Sequence, residues 1–246
     1  MATLYLIPTP LSKDLPADLW LIASQRAQLS HLTHFVIEAA KAARQHLKQL
    51  GLSTPLQELT LTILNEHTPE DSVYAMLAPL NAGVDMGLLS EAGCPAVADP
   101  GANLVRLAHD HGHRVAPLVG PSSLLLALMA SGTNGQRFAF HGYLPIERDE
   151  RAAALHILEQ RSREEACAQL FIETPYRNPT LLHALLNTLS SNTRLTAACD
   201  LTLPSETIIS RRVVDWQTIN IDLKRRPTLF IIYADPSPKS AAKRVS

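Results

Sequence analysis

Cysteine is scarce: Cys94, Cys167 and Cys199 are the only three among 246 residues, and no two form a CxxC pair. An odd, scattered set excludes a disulfide-stapled scaffold and a zinc knuckle as the basis of the fold. Long apolar runs are also missing. The longest, SLLLALMA, is far too short to cross a bilayer. The N-terminus, MATLYLIPTPLSKD, has no basic segment and only a brief apolar stretch, so no signal peptide is read there and the chain is expected to be cytoplasmic. No charge of one sign dominates. A net charge of −1 and a pI near 6.8 exclude a strong global attraction to nucleic acid or anionic membrane. Glycine-rich phosphate loops are absent as well. Neither GxGxxG nor GxxxxGK[ST] occurs, which removes the usual support for a dinucleotide or P-loop site.

What is there is an alternation of strand and helix patterns. Apolar residues make up 46% and charged residues 18%, as in an ordinary globular protein with room for one large or two modest domains. TLYLIPTP (3–10) reads as a first strand, ADLWLIASQRAQL as a helix, and HFVIE as a second strand ending at Glu38. AAKAARQHLKQLG reads as a helix closed by Gly51 as C-cap, and LTLTIL as a third strand ending beside Asn65 and Glu66. HTPEDSVYAMLAPLNAG predicts one helix with Thr68 as N-cap, Pro69 at the first position and Glu70 and Asp71 complementing the dipole. VDMGLLS and HRVAPLV are strands on either side of the helix ANLVRLAHDHG, which completes a βαβ series and a parallel sheet.

Beyond Gly120 the texture changes. A helix SSLLLALMASG, a strand RFAFHGYLP, a helix through RAAALHILEQ, a strand AQLFIETP and a helix NPTLLHALLNTLS are followed by RLTAACDLT, ETIISRRVV and PTLFIIYA. These last three have little helix between them, which predicts a mixed sheet. The expected organisation is two α/β domains, 1–117 and 118–236, with a boundary near Pro117 to Pro121 and a basic flexible tail over 237–246. From Thr207 onward there are eight Lys or Arg against three acids. That is either a solvated surface with a frayed tail or a face for an anionic partner.

Ligands of open α/β sheets bind beyond the carboxyl ends of the strands. Glu38, Asn65 with Glu66, Ser90 with Glu91, and Glu173 all fall there, with Asp99 farther along the loop after the fourth strand. That loop, SEAGCPAVADPGANL, combines glycines that permit close backbone approach with prolines that stiffen it. Asp99 would either open the next helix or offer a carboxylate to a ligand hydroxyl or amine. In VGPSSLLL, Ser122 and Ser123 would set hydroxyls at a helix start, and FIETPYRN gathers Glu173, Tyr176 and Arg177 at a strand end. HDHGH spans a helix end and its glycine turn, an arrangement unlike a zinc site, so no metal is expected.

The segments LYLIPTP, NEH, SEAGCPAVADPG, PLVGPSS, HGYLP and FIETPYR, in this order, resemble the tetrapyrrole (corrin/porphyrin) methylase superfamily of S-adenosylmethionine (SAM) enzymes. The nearest branch is that of the bacterial 16S rRNA cytidine 2′-O-ribose methyltransferases. The resemblance implies two α/β domains with SAM in a cleft between them, and a homodimer. It implies cofactor contacts at Asp99, Pro100, Gly101 and Ala102, at Ser122 and Ser123, at Pro8 and Ser90, and at Leu201 and Thr228. It implies RNA as substrate, with Asn65, Glu173, Tyr176 and Arg177 facing it. Glu38, Glu66 and Glu91 are the candidates to draw the proton from a ribose hydroxyl. The chain departs from that branch where Ala39, Ala40 and Lys41 replace Asp-Thr-Arg, where Leu64 replaces a His, and where KRRPT replaces Lys-Gly-Glu. The alternatives are an enzyme of this fold acting on a small molecule or protein, and a dimeric SAM-binding protein without catalysis.

Overall fold

The computed structural model describes residues 2–12, 15 and 20–236; the basic tail expected over 237–246 lies outside the described residues. The chain divides into two units, Met1–Ser122 and Ser123–Ser246.

The first unit is a five-stranded sheet, β1 (Thr3–Leu6), β2 (His34–Ile37), β3 (Thr60–Ile63), β4 (Met86–Leu89) and β5 (Arg114–Pro117), in the order β3-β2-β4-β1-β5. Every pairing is parallel. The connections carry α1 (Ala23–Leu29), α2 (Ala40–Leu47), α3 (Glu70–Ala75), α4 (Ala78–Asn81) and α5 (Ala102–Asp110). In β2, Phe35 and Ile37 join one apolar cluster with Ile7, Leu47 and Leu89, while Val36 joins another with Leu4, Leu77 and Leu104. This period-two division places a core on each face of the sheet, as buried parallel strands require. Leu64, which takes the place of a His in the resembled branch, lies buried in the second cluster.

Five local expectations are corrected. The helix expected over HTPEDSVYAMLAPLNAG is two short ones, because Pro79 brings no N–H and its ring crowds the preceding turn. Its cap is Pro69, while the Thr68 hydroxyl accepts the Asn65 N–H (3.0 Å) inside a separate turn. The second helix ends at Leu47 with Lys48 as C-cap, and Gly51, at φ +71°, belongs to the turn beyond. Of the first predicted helix, only Ala23–Leu29 is helical among the described residues. The first strand stops at Leu6, yet pairing goes on: Ile7 N–H donates to the Leu88 carbonyl (2.9 Å), and Thr9 and Gly93 exchange both backbone bonds (2.8 and 3.1 Å).

The second unit has α6 (Ser123–Ser131), α7 (Arg148–Glu165) and α8 (Asn178–Thr188) on a sheet of β6 (Phe138–Tyr143), β7 (Ala168–Ile172), β8 (Arg194–Cys199), β9 (Thr207–Arg212) and β10 (Thr228–Tyr233). Its order is β6-β7-β10-β8-β9. The β6–β7 pair is parallel and the other three pairs are antiparallel, so the sheet is mixed as read from the sequence. Phe171 and Phe230 stack at 6.2 Å in its core. Tyr143 and Leu229 are both in register with Ile172, and Thr228 with Cys199. The ends of β6, β7 and β8 and the start of β10 therefore share one edge. Among the described residues, no helix is long and apolar enough to cross a membrane.

Candidate functional site

In the first unit three segments far apart in sequence meet beyond the carboxyl ends of β1, β4 and β5. Residues 7–9 pair with Leu88 and Gly93, and the Cys94 thiol donates to the Pro121 carbonyl (3.4 Å). The buried Pro8 lies against Gly120, where an added Cβ would come within 2.2 Å of the Pro8 Cβ. LYLIPTP, SEAGCPAVADPG and PLVGPSS thus form one assembly, with Ser122 at the end of its last turn. Cys94 had no role in the sequence reading; its thiol is both tied into this assembly and held protonated by burial and the nearby Asp99 charge.

The backbone of Glu91 is held from both sides. Its N–H donates to Glu38 Oε2 (3.0 Å), and its carbonyl oxygen stands 3.1 Å from His46 Nε2. A carbonyl only accepts, so Nε2 carries the ring proton. Burial lowers the His46 pKa, consistent with a neutral ring. Sequence reasoning missed His46. Its only signal is that Ala43, His46 and Leu47 share the buried face of α2. With its backbone fixed, Glu91 presents an exposed carboxylate. Glu66 is on solvent, with His67 as its nearest ionic partner at 3.5 Å. Asn65 uses its side-chain oxygen in a turn, accepting from His67 N–H (3.0 Å) and the Thr68 hydroxyl (3.3 Å).

Asp99 does not cap α5, whose N-cap is Gly101. It lines a groove of about 350 Å³ with Asn65, Glu66, Pro100, Gly101 and Ala102. Burial is the largest influence on its carboxyl, raising the pKa from the ordinary 3.8 to about 6. The Glu38 charge adds to this, the Ser90 hydroxyl opposes it, and the Glu91 charge adds again. Gly101 holds φ +131°, and a Cβ there would meet Leu88 Cδ2 at 2.9 Å, so the backbone enters α5 in a form reserved for glycine. Ser90 is buried, and its carbonyl accepts the Thr9 hydroxyl (3.3 Å).

The remaining predicted residues belong to the second unit. Ser123 begins α6; Leu201 and Thr228 are buried at the shared sheet edge, and the Thr228 hydroxyl donates to the Arg226 carbonyl (3.0 Å). Glu173 is enclosed rather than presented. Its side chain is 3% exposed, and Oε1 accepts from Arg177 Nε (3.0 Å) and Nη2 (2.7 Å) and from the Thr174 amide (2.6 Å) and hydroxyl (3.1 Å). Arg177 in turn lies over the Tyr176 ring, 5.6 Å from its centroid. Removing the guanidinium strands a buried carboxylate. Arg177→Ala is therefore expected to lower stability in denaturant titration, with Arg177→Lys recovering part of the loss.

No protein-family model matches the chain. It is 33% identical over 245 residues to the ribosomal RNA small subunit methyltransferase I of Xylella fastidiosa, covering 98% of this chain and 84% of that one. It is 32% identical over 208 residues to the protein of the same name from Escherichia coli O157:H7, with 83% and 67% covered. Against the Pseudomonas aeruginosa protein it is 29% identical over 245 residues, with 96% and 80% covered. Among solved structures it is similar to the methyltransferase CobJ, with a TM-score of 0.58, 20% identity, and 94% of this chain and 93% of that one covered. It is also similar to uroporphyrin-III C-methyltransferase from Thermus thermophilus complexed with S-adenyl homocysteine, at 0.56, 17%, 94% and 97%. These likenesses show the fold, a parallel five-stranded sheet and a mixed sheet of the tetrapyrrole methylase kind.

Proposed function

Because the chain belongs to the family of ribosomal RNA small subunit methyltransferase I, we propose that it transfers the methyl group of SAM to a ribose 2′-hydroxyl of small-subunit ribosomal RNA. The observation that carries this reading is a match that runs along nearly the whole chain. The homodimer implied by the resemblance belongs to the same reading.

The first unit's groove fits the cofactor. SAM carries a sulfonium and an amine, both cationic, and ribose hydroxyls. The groove offers the Asp99 carboxylate, ionised at neutral pH, beside a backbone that Gly101 keeps free of side chain. Asp99, Pro100, Gly101 and Ala102, with Pro8, Ser90 and Ser122, are the residues we assign to it. Bound SAM supplies a methyl group on an already activated sulfonium. The chain's own work is alignment, exclusion of water and removal of the hydroxyl proton. Glu38 is committed to the Glu91 amide and Glu66 lines the groove from an exposed loop, whereas Glu91 combines a backbone held from both sides with an exposed carboxylate. Glu91 is therefore our choice as base.

Incubation of the protein with tritiated SAM and small ribosomal subunits from a strain lacking the gene tests the reading. Label is expected in one nucleotide whose 3′ linkage resists alkali, as 2′-O-methylation requires. Label on a base, on protein or on a small metabolite would overturn it, as would SAM binding with no transfer to any of them.

A further inference from the structure

We propose that the second unit carries a stacking platform for an unpaired stretch of RNA, formed by Tyr143 and Tyr176 around Arg177 and fronted by Lys224 and Arg225. The inference rests on the RNA substrate of the reading above and gives it a surface. Tyr143 ends β6 in register with Ile172, the last residue of β7, and Tyr176 lies in the turn that follows β7. The two residues are 59% and 66% exposed. Aromatic residues are only 5% of the chain, so two exposed tyrosines at one strand edge are a costly concentration of unburied ring surface.

The Arg177 cation beside Tyr176 is fixed. Two nitrogens of Arg177 are tied to the enclosed Glu173, and its Cζ stands over the Tyr176 ring. The Glu173 hydrogen bond raises the Arg177 pKa most, desolvation opposes it, and the Glu173 charge adds to it. A held guanidinium over one aromatic ring, with a second exposed ring at the same strand ends, offers planar surfaces that stack on nucleobases where those are unpaired.

The phosphates would meet a second turn stitched to the first. The Arg225 N–H donates to the Pro175 carbonyl (3.0 Å), and Asn178 Nδ2 donates to the Arg226 carbonyl (2.7 Å). Lys224 and Arg225 are exposed there, Arg225 at φ +59°, a left-handed conformation rare for a large side chain. Arg226 is different in kind. Its guanidinium is spent on Asp200 (2.8 Å) and on the Asp222 and Ser205 carbonyls (2.8 and 2.7 Å). It is a structural cation, and it stays unchanged in the variants below.

The test measures binding of a short fluorescein-labelled oligocytidylate by anisotropy across a salt series. Tyr143→Ala and Tyr176→Ala are each expected to weaken binding about five-fold or more, and the Phe variants to bind as wild type, because the ring and not the hydroxyl stacks. Arg225→Glu should weaken binding and flatten the log–log salt slope by about 0.7 or more. Melting temperatures and SAM affinity should stay at wild-type values in all of them, since these side chains are exposed. Alanine variants that bind like wild type would overturn the platform, and so would a wild-type protein that does not bind the oligomer at low salt. If the small subunit is nevertheless methylated, the proposed reaction stands and only the platform falls. If the tyrosine pattern holds and no methyl reaches ribosomal RNA, the surface stands and the reaction falls.

Discussion

Asp99→Asn should cripple cofactor binding and, at pH 8, make the protein more stable. The two effects have one origin. The folded chain holds the Asp99 carboxyl at about 6 against an ordinary 3.8, first through burial and then through the Glu38 and Glu91 charges. Between those pH values the folded protein binds more protons at this site than the unfolded chain does. Stability from this group is therefore fully present below the ordinary value, falls as pH rises through the window, and is lost above about 6. Asparagine cannot ionise, so the variant's gain should be clear at pH 8 and vanish at pH 4. Against the cationic cofactor the sign reverses. A carboxylate with no cation partner among the described residues is stabilised by a ligand that brings one, and losing that charged contact costs about 1.5–3 kcal/mol, roughly a 10- to 150-fold loss of SAM affinity. In the wild type, affinity should likewise fall as pH drops below about 6, and in the variant it should not. Melting curves at the two pH values and calorimetric SAM titrations read both effects. An equal stability change at pH 4 and pH 8, or a variant that binds SAM as the wild type does, would remove Asp99 from this role.

The alternation that gave β1 through β5 was legible because each strand is a short apolar run between turn residues, and all of the polar positions read at strand ends do lie there. The mixed second sheet could be seen for a related reason: the short segment between β8 and β9 cannot hold a crossover helix, and the longer one between β9 and β10 shows no amphipathic helical pattern. Three things were hidden. The division of the helix at Pro79 was missed because the cap signals at residues 68–71 outweighed one proline. The roles of Glu38 and His46 as clamps on the Glu91 backbone depend on contacts 53 and 45 residues away, and no local pattern reports those. Glu173 reads as a polar strand end whether it faces a ligand or, as here, closes on Arg177. Sequence position locates the rim of a site. Which of its groups are already spent inside the protein is decided by tertiary contacts.

The largest structural effect should come from a single methyl group at Gly120. An alanine Cβ there would stand 2.2 Å from the Pro8 Cβ and 2.4 Å from its Cγ. The proline ring cannot rotate aside, and Pro8 is buried between a residue bonded to Leu88 and one paired with Gly93. The 118–122 turn must therefore move, taking with it the Pro121 carbonyl that receives the Cys94 thiol. Gly120→Ala is expected to lower stability by about 3 kcal/mol, the upper end for overpacking, and to abolish measurable SAM binding. Gly135→Ala, where an added Cβ meets nothing within 4 Å, should behave as wild type and serves as the control for a generic glycine effect. Pro8→Gly removes both clashing atoms. Added to Gly120→Ala, it should restore part of the lost stability, although alone it costs some. The coupling between the two positions should thus be favourable and well outside the few tenths of a kcal/mol seen for independent sites. If the two losses simply add, the steric account of how these three segments are joined is wrong.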